Sequence, residues 1–143
     1  MGNVFVYGSL KAGGRLNGYL IGNGCRLVEA REIKGFRMVE VPHAWFPTLV
    51  PDAGATVKGE VWELPADPAK EKDTIRQLDW VEGVPSLYVR RKVDAADDQS
   101  PWIYVWAKPK EAMAWVSVPD GFWDVERTTP VGETRRERAD NPQ

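Results

Sequence analysis

Val4-Phe5-Val6-Tyr7-Gly8-Ser9-Leu10 is the stretch from which the rest of the chain is read. From Asn3 to Gly8 the side chains alternate, Val4 and Val6 to one side and Phe5 and Tyr7 to the other. That is the period of a strand. Gly8-Ser9 then breaks it, and Lys11 to Gly24 follows as a glycine-rich loop. Its apolar island Tyr19-Leu20-Ile21 allows one helical turn. Further along, Arg26 to Val41 reads as two strands with a turn near Lys34-Gly35. Pro42 to Asp52 carries Pro42, Pro47 and Pro51 and reads as an extended loop or edge segment. Val57 to Leu64 and Tyr88 to Val93 read as strands, the latter with one wet face. Trp102 to Ala107 is continuously apolar and suits a central strand covered on both faces.

One helix is expected over Asp67 to Val81. Asp67 can cap it, Pro68 suits the first helical position, Glu71 falls in the acid-favouring first turns, and Gly83 is a natural stop. Ile75 and Leu78, spaced i, i+3, would form its buried face. A second helical turn is expected at Lys110 to Ala114. From Thr128 the apolar residues almost vanish and Arg135, Arg136 and Arg138 cluster, which gives a domain over residues 1–127 and a flexible polar tail over 128–143. Strands with one good helix and no strict β-α-β alternation make an α+β domain or a partly closed barrel, not a doubly wound sheet.

Composition narrows the function classes. The 143 residues are 43% hydrophobic and 28% charged, ordinary for a globular protein. Nineteen basic against 21 acidic side chains, a net charge of −2, argue against a nucleic-acid binder. No stretch is apolar and long enough to span a bilayer, and no signal segment is evident at the start, so a cytoplasmic location is expected. Cys25 is the single cysteine and His43 the single histidine, which excludes an intrachain disulfide and a His/Cys zinc cluster. Seven tryptophans can fill a core or line a cavity.

Two places carry candidate chemistry. The Tyr7-Gly8-Ser9-Leu10 turn can offer exposed amides to an anion, or be an ordinary turn. Gly8 and Gly13 have phosphate-loop spacing, but Gly14 and Arg15 stand where Lys and Ser/Thr are needed. The second place is Glu82, at the C-terminal end of the expected helix. The helix dipole disfavours its charged form, and Trp80, Val81 and Val84 can desolvate it. Both effects raise its pKa toward the range that general acid/base work requires. The bland reading is a solvated glutamate at a frayed helix end. Asp79 can pair with it, although a structural role fits better. Ser9 has no evident base, Cys25 reads as a core residue, and Trp102 to Trp106 reads as core more readily than as a base-stacking surface.

Val4 to Leu10, Phe46-Pro47-Thr48-Leu49-Val50, Val57-Lys58-Gly59-Glu60-Val61-Trp62, and Leu78-Asp79-Trp80-Val81-Glu82-Gly83-Val84-Pro85 with Tyr88 and Arg90 together resemble the γ-glutamylcyclotransferase superfamily, most closely its short AIG2-like and γ-glutamylamine cyclotransferase branch. The resemblance spans residues 3 to 125. It implies a small mixed β-barrel with one or two outer helices and a ligand cavity. It also implies cofactor-independent cyclisation of a γ-glutamyl amine or γ-glutamyl amino acid to 5-oxoproline. By resemblance the catalytic glutamate is Glu82, and the substrate is held by Tyr7, Gly8, Ser9, Leu10, Tyr88 and Tyr104. Gly121-Phe122-Trp123 is similar to a late family element, but its Asp is displaced and no role transfers to it. The implied partner is a small-molecule γ-glutamyl substrate, with no nucleic acid or membrane, and the chain is expected to be a monomer or weak dimer. Arg15, Trp45 and Phe46 can shape the pocket mouth, and the leaving amine is not readable. The competing readings are a non-catalytic metabolite-binding protein and a different reaction on a small amide or nucleotide-like ligand in the same pocket.

Overall fold

The computed structural model describes residues 2–44 and 46–126. Trp45 and the expected tail at 128–143 lie outside them. In chain order the elements are β1 (Asn3–Val6), α1 (Gly18–Ile21), β2 (Arg26–Glu40), β3 (Pro47–Glu63), α2 (Pro68–Glu82), β4 (Tyr88–Lys92), β5 (Trp102–Trp106) and α3 (Pro109–Ala112), with a 3-10 turn at Pro119–Gly121. The five strands form one sheet in the order β2-β3-β1-β5-β4. Only β1 and β5 run parallel, and the other neighbours are antiparallel. The domain is mixed α+β as expected, with a sheet that is not closed into a barrel.

The alternation read from β1 sets the two faces of this sheet. Val4 and Val6 enter one apolar cluster with Leu20, Leu78, Tyr88, Tyr104 and Trp106. Phe5 and Tyr7 enter another with Met38, Leu49, Ile103, Val105 and Trp123. β5 divides the same way, Tyr104 and Trp106 to the first cluster and Ile103 and Val105 to the second, which is why its sequence shows no polar face.

The hairpin differs from expectation. Arg26–Glu40 is one strand, not two, and Pro47–Glu63 is one strand that absorbs most of the segment read as a loop. Lys34-Gly35 marks a register shift, because Lys34 faces Thr56 while Gly35 faces Asp52. The extra residues 53–55 bulge from β3 and the chain continues in the same direction. Reversal comes later, between Val41 and Phe46, where the Ala44 amide donates to the Val41 carbonyl and His43 adopts φ 57°. Pro47 and Pro51 are tolerated inside β3 because this half of the strand pairs with β2 alone, β1 being paired only with residues 60–63.

Helix α2 matches its sequence signals. The Asp67 carboxylate accepts from the Lys70 amide at 3.0 Å, and Pro68 opens the helix. Glu71 accepts from the Gly2 amide at 2.8 Å, tying the first turns to the start of β1. Thr74 and Leu78 are buried, and Ile75 packs beside them. The helix stops at Gly83, whose φ of 71° a residue with a Cβ adopts reluctantly. Among the described residues no helix is long and apolar enough to cross a membrane.

β3 approaches β1 closely at Gly59, where a Cβ would collide with the Val6 carbonyl and sit 2.6 Å from the Phe5 ring. Gly59→Ala is expected to destabilise the domain by ~1–3 kcal/mol through overpacking. Urea unfolding of the variant beside wild type checks it.

Candidate active site

The turn after β1 spends its carbonyls inside its own loop. The Gly8 carbonyl accepts from the Lys11 amide at 3.1 Å, Ser9 from the Leu16 amide at 3.0 Å, and Leu10 from Asn17 Nδ2 at 2.8 Å. The amides of Ser9 and Leu10 donate to no described residue. A turn with its carbonyls turned inward and its amides free offers those amides to an anion or a polarised carbonyl.

Ser9 and Leu10 belong to the wall of a cavity of ≈ 130 Å³. Tyr7, Gly8, Ser9, Leu10, Glu82, Tyr88 and Tyr104, the residues to which the resemblance gives a site role, all line it. Phe5, Val6, Leu16, Phe46, Pro47, Val81 and Leu87 complete a mostly apolar wall, with Arg15 at its exposed edge. Leu16, Pro47 and Leu87 carry no chemical signal in the sequence. Only the fold, which sets the β2–β3 reversal and the α2–β4 connection beside the turn, brings them here.

Glu82 is the last residue of α2. Burial pushes its carboxyl from the ordinary 4.5 up to about 7. No described residue donates a hydrogen bond to it. The helix end is closed by Gly83, with the Val84 amide donating to the Asp79 carbonyl at 3.0 Å, so it is not frayed. One expected contributor is absent: Trp80 is 78% exposed and does not cover Glu82. Val81 lines the cavity and Val84 packs against the core.

Asp79, one turn earlier, has the opposite surroundings. Its carboxylate accepts from Arg90 Nε at 2.9 Å, from Arg90 Nη2 at 3.3 Å and from the Tyr104 hydroxyl at 2.7 Å. Arg90 also lies over the Trp102 ring, 4.1 Å from its centroid. Asp79 is therefore a structural knot binding α2 to β4 and β5. The other two phenols donate to main chain: Tyr7 to the Tyr104 carbonyl at 2.8 Å and Tyr88 to the Pro47 carbonyl at 2.6 Å. Burial, with the Glu82 charge nearby, raises both phenols well above their usual pKa, and they stay protonated. Burial does the same for Tyr104, with Asp79 adding to it. Thr48 Oγ1, wholly buried beside Tyr7 and Tyr88, meets neither in hydrogen-bonding geometry. Phe46 and Trp106 flank the Tyr88 ring at 6.2 and 5.3 Å.

Among the described residues no three His, Cys, Asp or Glu side chains gather as a metal site. Cys25 lies in the core, where burial raises its thiol to about 11 and keeps the unreactive protonated form.

The sequence profile of the γ-glutamyl cyclotransferase, AIG2-like family matches residues 4–125. The fold is similar to that of an AIG2-like protein from Mus musculus, with TM-score 0.67 and 22% identity over 87% of this chain and 88% of that one. It is similar to a Pyrococcus horikoshii protein, with TM-score 0.64 and 21% identity over 100% of both chains. A structure described as a γ-glutamyl cyclotransferase shares it at TM-score 0.55 and 19% identity, over 81% of this chain and 69% of that one. No curated protein sequence matches the chain significantly. Since the profile covers most of the chain, from β1 to beyond the 3-10 turn, the protein belongs to the γ-glutamyl cyclotransferase, AIG2-like family.

Proposed function

We propose that the protein cyclises a γ-glutamyl amine or γ-glutamyl amino acid to 5-oxoproline, releasing the amine, with Glu82 as the proton carrier. Family membership supports a γ-glutamyl cyclotransferase-like enzyme in general. The observation that carries the specific reading is the part-buried Glu82 carboxyl, raised by burial to about 7 and without a hydrogen-bond donor among the described residues, in the wall of the same hollow as Ser9 and Leu10.

The substrate's α-amine is an ammonium at neutral pH and has no lone pair with which to attack. The Glu82 carboxylate takes one proton from it. The amine nitrogen then forms a bond to the γ-carbonyl carbon, and the carbonyl oxygen becomes an oxyanion that the Ser9 and Leu10 amides can receive. When the tetrahedral intermediate collapses, the bond from carbon to the leaving nitrogen breaks. Glu82 returns its proton to that nitrogen; as a carboxylate again it takes the second proton from the former amine nitrogen as the lactam forms and passes it to the released amine, which leaves as an ammonium. A carboxyl near pKa 7 suits both directions of transfer. The apolar wall and the protonated tyrosines hold the chain curled, which supplies the entropic part of ring closure.

Glu82→Gln is expected to lower kcat by ~10²–10⁴-fold, the usual worth of a positioned acid/base. Mass-spectrometric detection of 5-oxoproline across γ-glutamyl amines and dipeptides measures it. In wild type, kcat/KM is expected to fall as pH drops through about 7, where Glu82 takes up a proton. A wild type that makes no 5-oxoproline from any panel member overturns the reading and leaves the cavity a binding site.

The same carboxyl costs stability. Its folded pKa lies above the unfolded one, so between pH 4.5 and about 7 the native state binds more protons than the unfolded chain. Stability therefore falls as pH rises through that window, by ~3 kcal/mol at most. Glu82→Gln removes the dependence. The variant is expected to match wild type near pH 4 and to exceed it at pH 8 in urea unfolding.

A further inference from the structure

Residues 116–123 have no part in the reaction above, yet they end against the turn that serves it. The segment runs back along β2: the Glu40 amide donates to the Val116 carbonyl at 2.8 Å, Ser117 bridges Val39, and the Val118 amide donates to the Met38 carbonyl at 2.9 Å. It crosses β3 at Gly121, where a Cβ would lie 3.1 Å from Val57 Cα. Trp123 is then buried in the cluster that holds Phe5 and Tyr7. Its carbonyl accepts a 2.6 Å hydrogen bond from Lys11 Nζ, and that ammonium lies 3.8 Å from the centroid of the Phe122 ring.

Lys11 is only 3% exposed, which is exceptional for a lysine. A buried ammonium is costly unless it is paired. Burial lowers the Lys11 pKa from its ordinary value, with the charges of Glu60 and Asp124 pulling the other way, and a main-chain carbonyl and an aromatic face receive the ammonium. The turn is thus bracketed. Tyr7 precedes it and shares the Trp123 cluster, while Lys11 follows it and grips the Trp123 carbonyl. Two further bonds carry the anchorage into the loop: Lys11 closes the turn through its amide to the Gly8 carbonyl, and the Ala12 amide donates to Glu60 at 2.8 Å.

We propose that Lys11 is a positioning residue for the site, and that through it residues 116–123 act as a strap fixing the direction of the Ser9 and Leu10 amides. The kinetic consequence rests on the cyclotransferase reading, whereas the structural consequence does not.

The test compares Lys11→Met, Lys11→Arg and Phe122→Ala in the full chain. It reads kcat and KM for 5-oxoproline formation, and amide hydrogen exchange at Lys11, Gly14 and Leu16 with Leu78 as the reference. In Lys11→Met the three loop amides are expected to exchange about tenfold faster while Leu78 is unchanged. Its kcat is expected to fall about tenfold with KM moving less than about threefold, since amide direction matters most when the oxyanion forms. Lys11→Arg is expected to recover part of both. Phe122 is half exposed, so Phe122→Ala leaves the core intact and moves the same readouts by a smaller factor. It decides the question if Lys11→Met does not fold. Unchanged loop exchange in the folded variants overturns the strap. A wild type without turnover sinks the cyclotransferase reading separately, and exchange still decides the role of Lys11.

Discussion

The Asp79 carboxylate is the polar contact on which the placement of the site's helix depends. It draws together Arg90 on β4, Tyr104 on β5 and the last turn of α2. Helices end loosely unless something holds the final turn, because their last carbonyls lack intrahelical partners. Here the Gly83 cap closes the backbone and Asp79 fixes the turn sideways to the sheet. Glu82 lies one turn on from Asp79 and inherits a fixed direction from it. Removing one partner of a partly buried network of this kind leaves the others unsatisfied, so its loss would be felt in α2, β4 and β5 together.

Asp79 and Glu82 are three residues apart on one helix, yet their surroundings are opposite. Asp79 is paired with a guanidinium and accepts from a phenol, while Glu82 faces an apolar wall with no donor among the described residues. Two carboxyl groups with divergent environments are a common arrangement for placing one of them in acid/base work. The tyrosines complete the contrast. Their hydroxyl protons are already committed to main-chain carbonyls or to Asp79, which under the proposed reaction leaves proton exchange to Glu82.

Local signals were read faithfully in the sequence. The β1 alternation foretold which residues enter which cluster, and the Asp67, Pro68 and Gly83 signals bounded α2 to within a residue. Each depends on neighbours within a turn or two of chain. The β2–β3 ribbon was misread because its proline tolerance depends on how short β1 is, a fact of the sheet and not of the segment. At the site, the upward direction of the Glu82 pKa was legible, but its cause was partly misassigned: Trp80 faces outward, and which face of a helix end is covered depends on distant elements. The turn and Glu82 were legible from residue chemistry as well as from the family resemblance, Tyr88 and Tyr104 from the resemblance alone, and residues such as Thr48, Leu16 and Leu87 were out of reach because their place is set wholly by tertiary packing.

The register shift in the long hairpin also bears on how the protein behaves in a crowded solution. β2 is an edge strand of 15 residues, and a flat edge of that length is a template for strands of other molecules. The bulge at residues 53–55 interrupts the ribbon midway, Ser117 caps one end of the edge, and Glu29, Arg31, Glu32 and Lys34 place alternating charge along the rest. An irregularity that reads as a defect in the ladder thus serves as protection against edge-to-edge self-association and fibril growth.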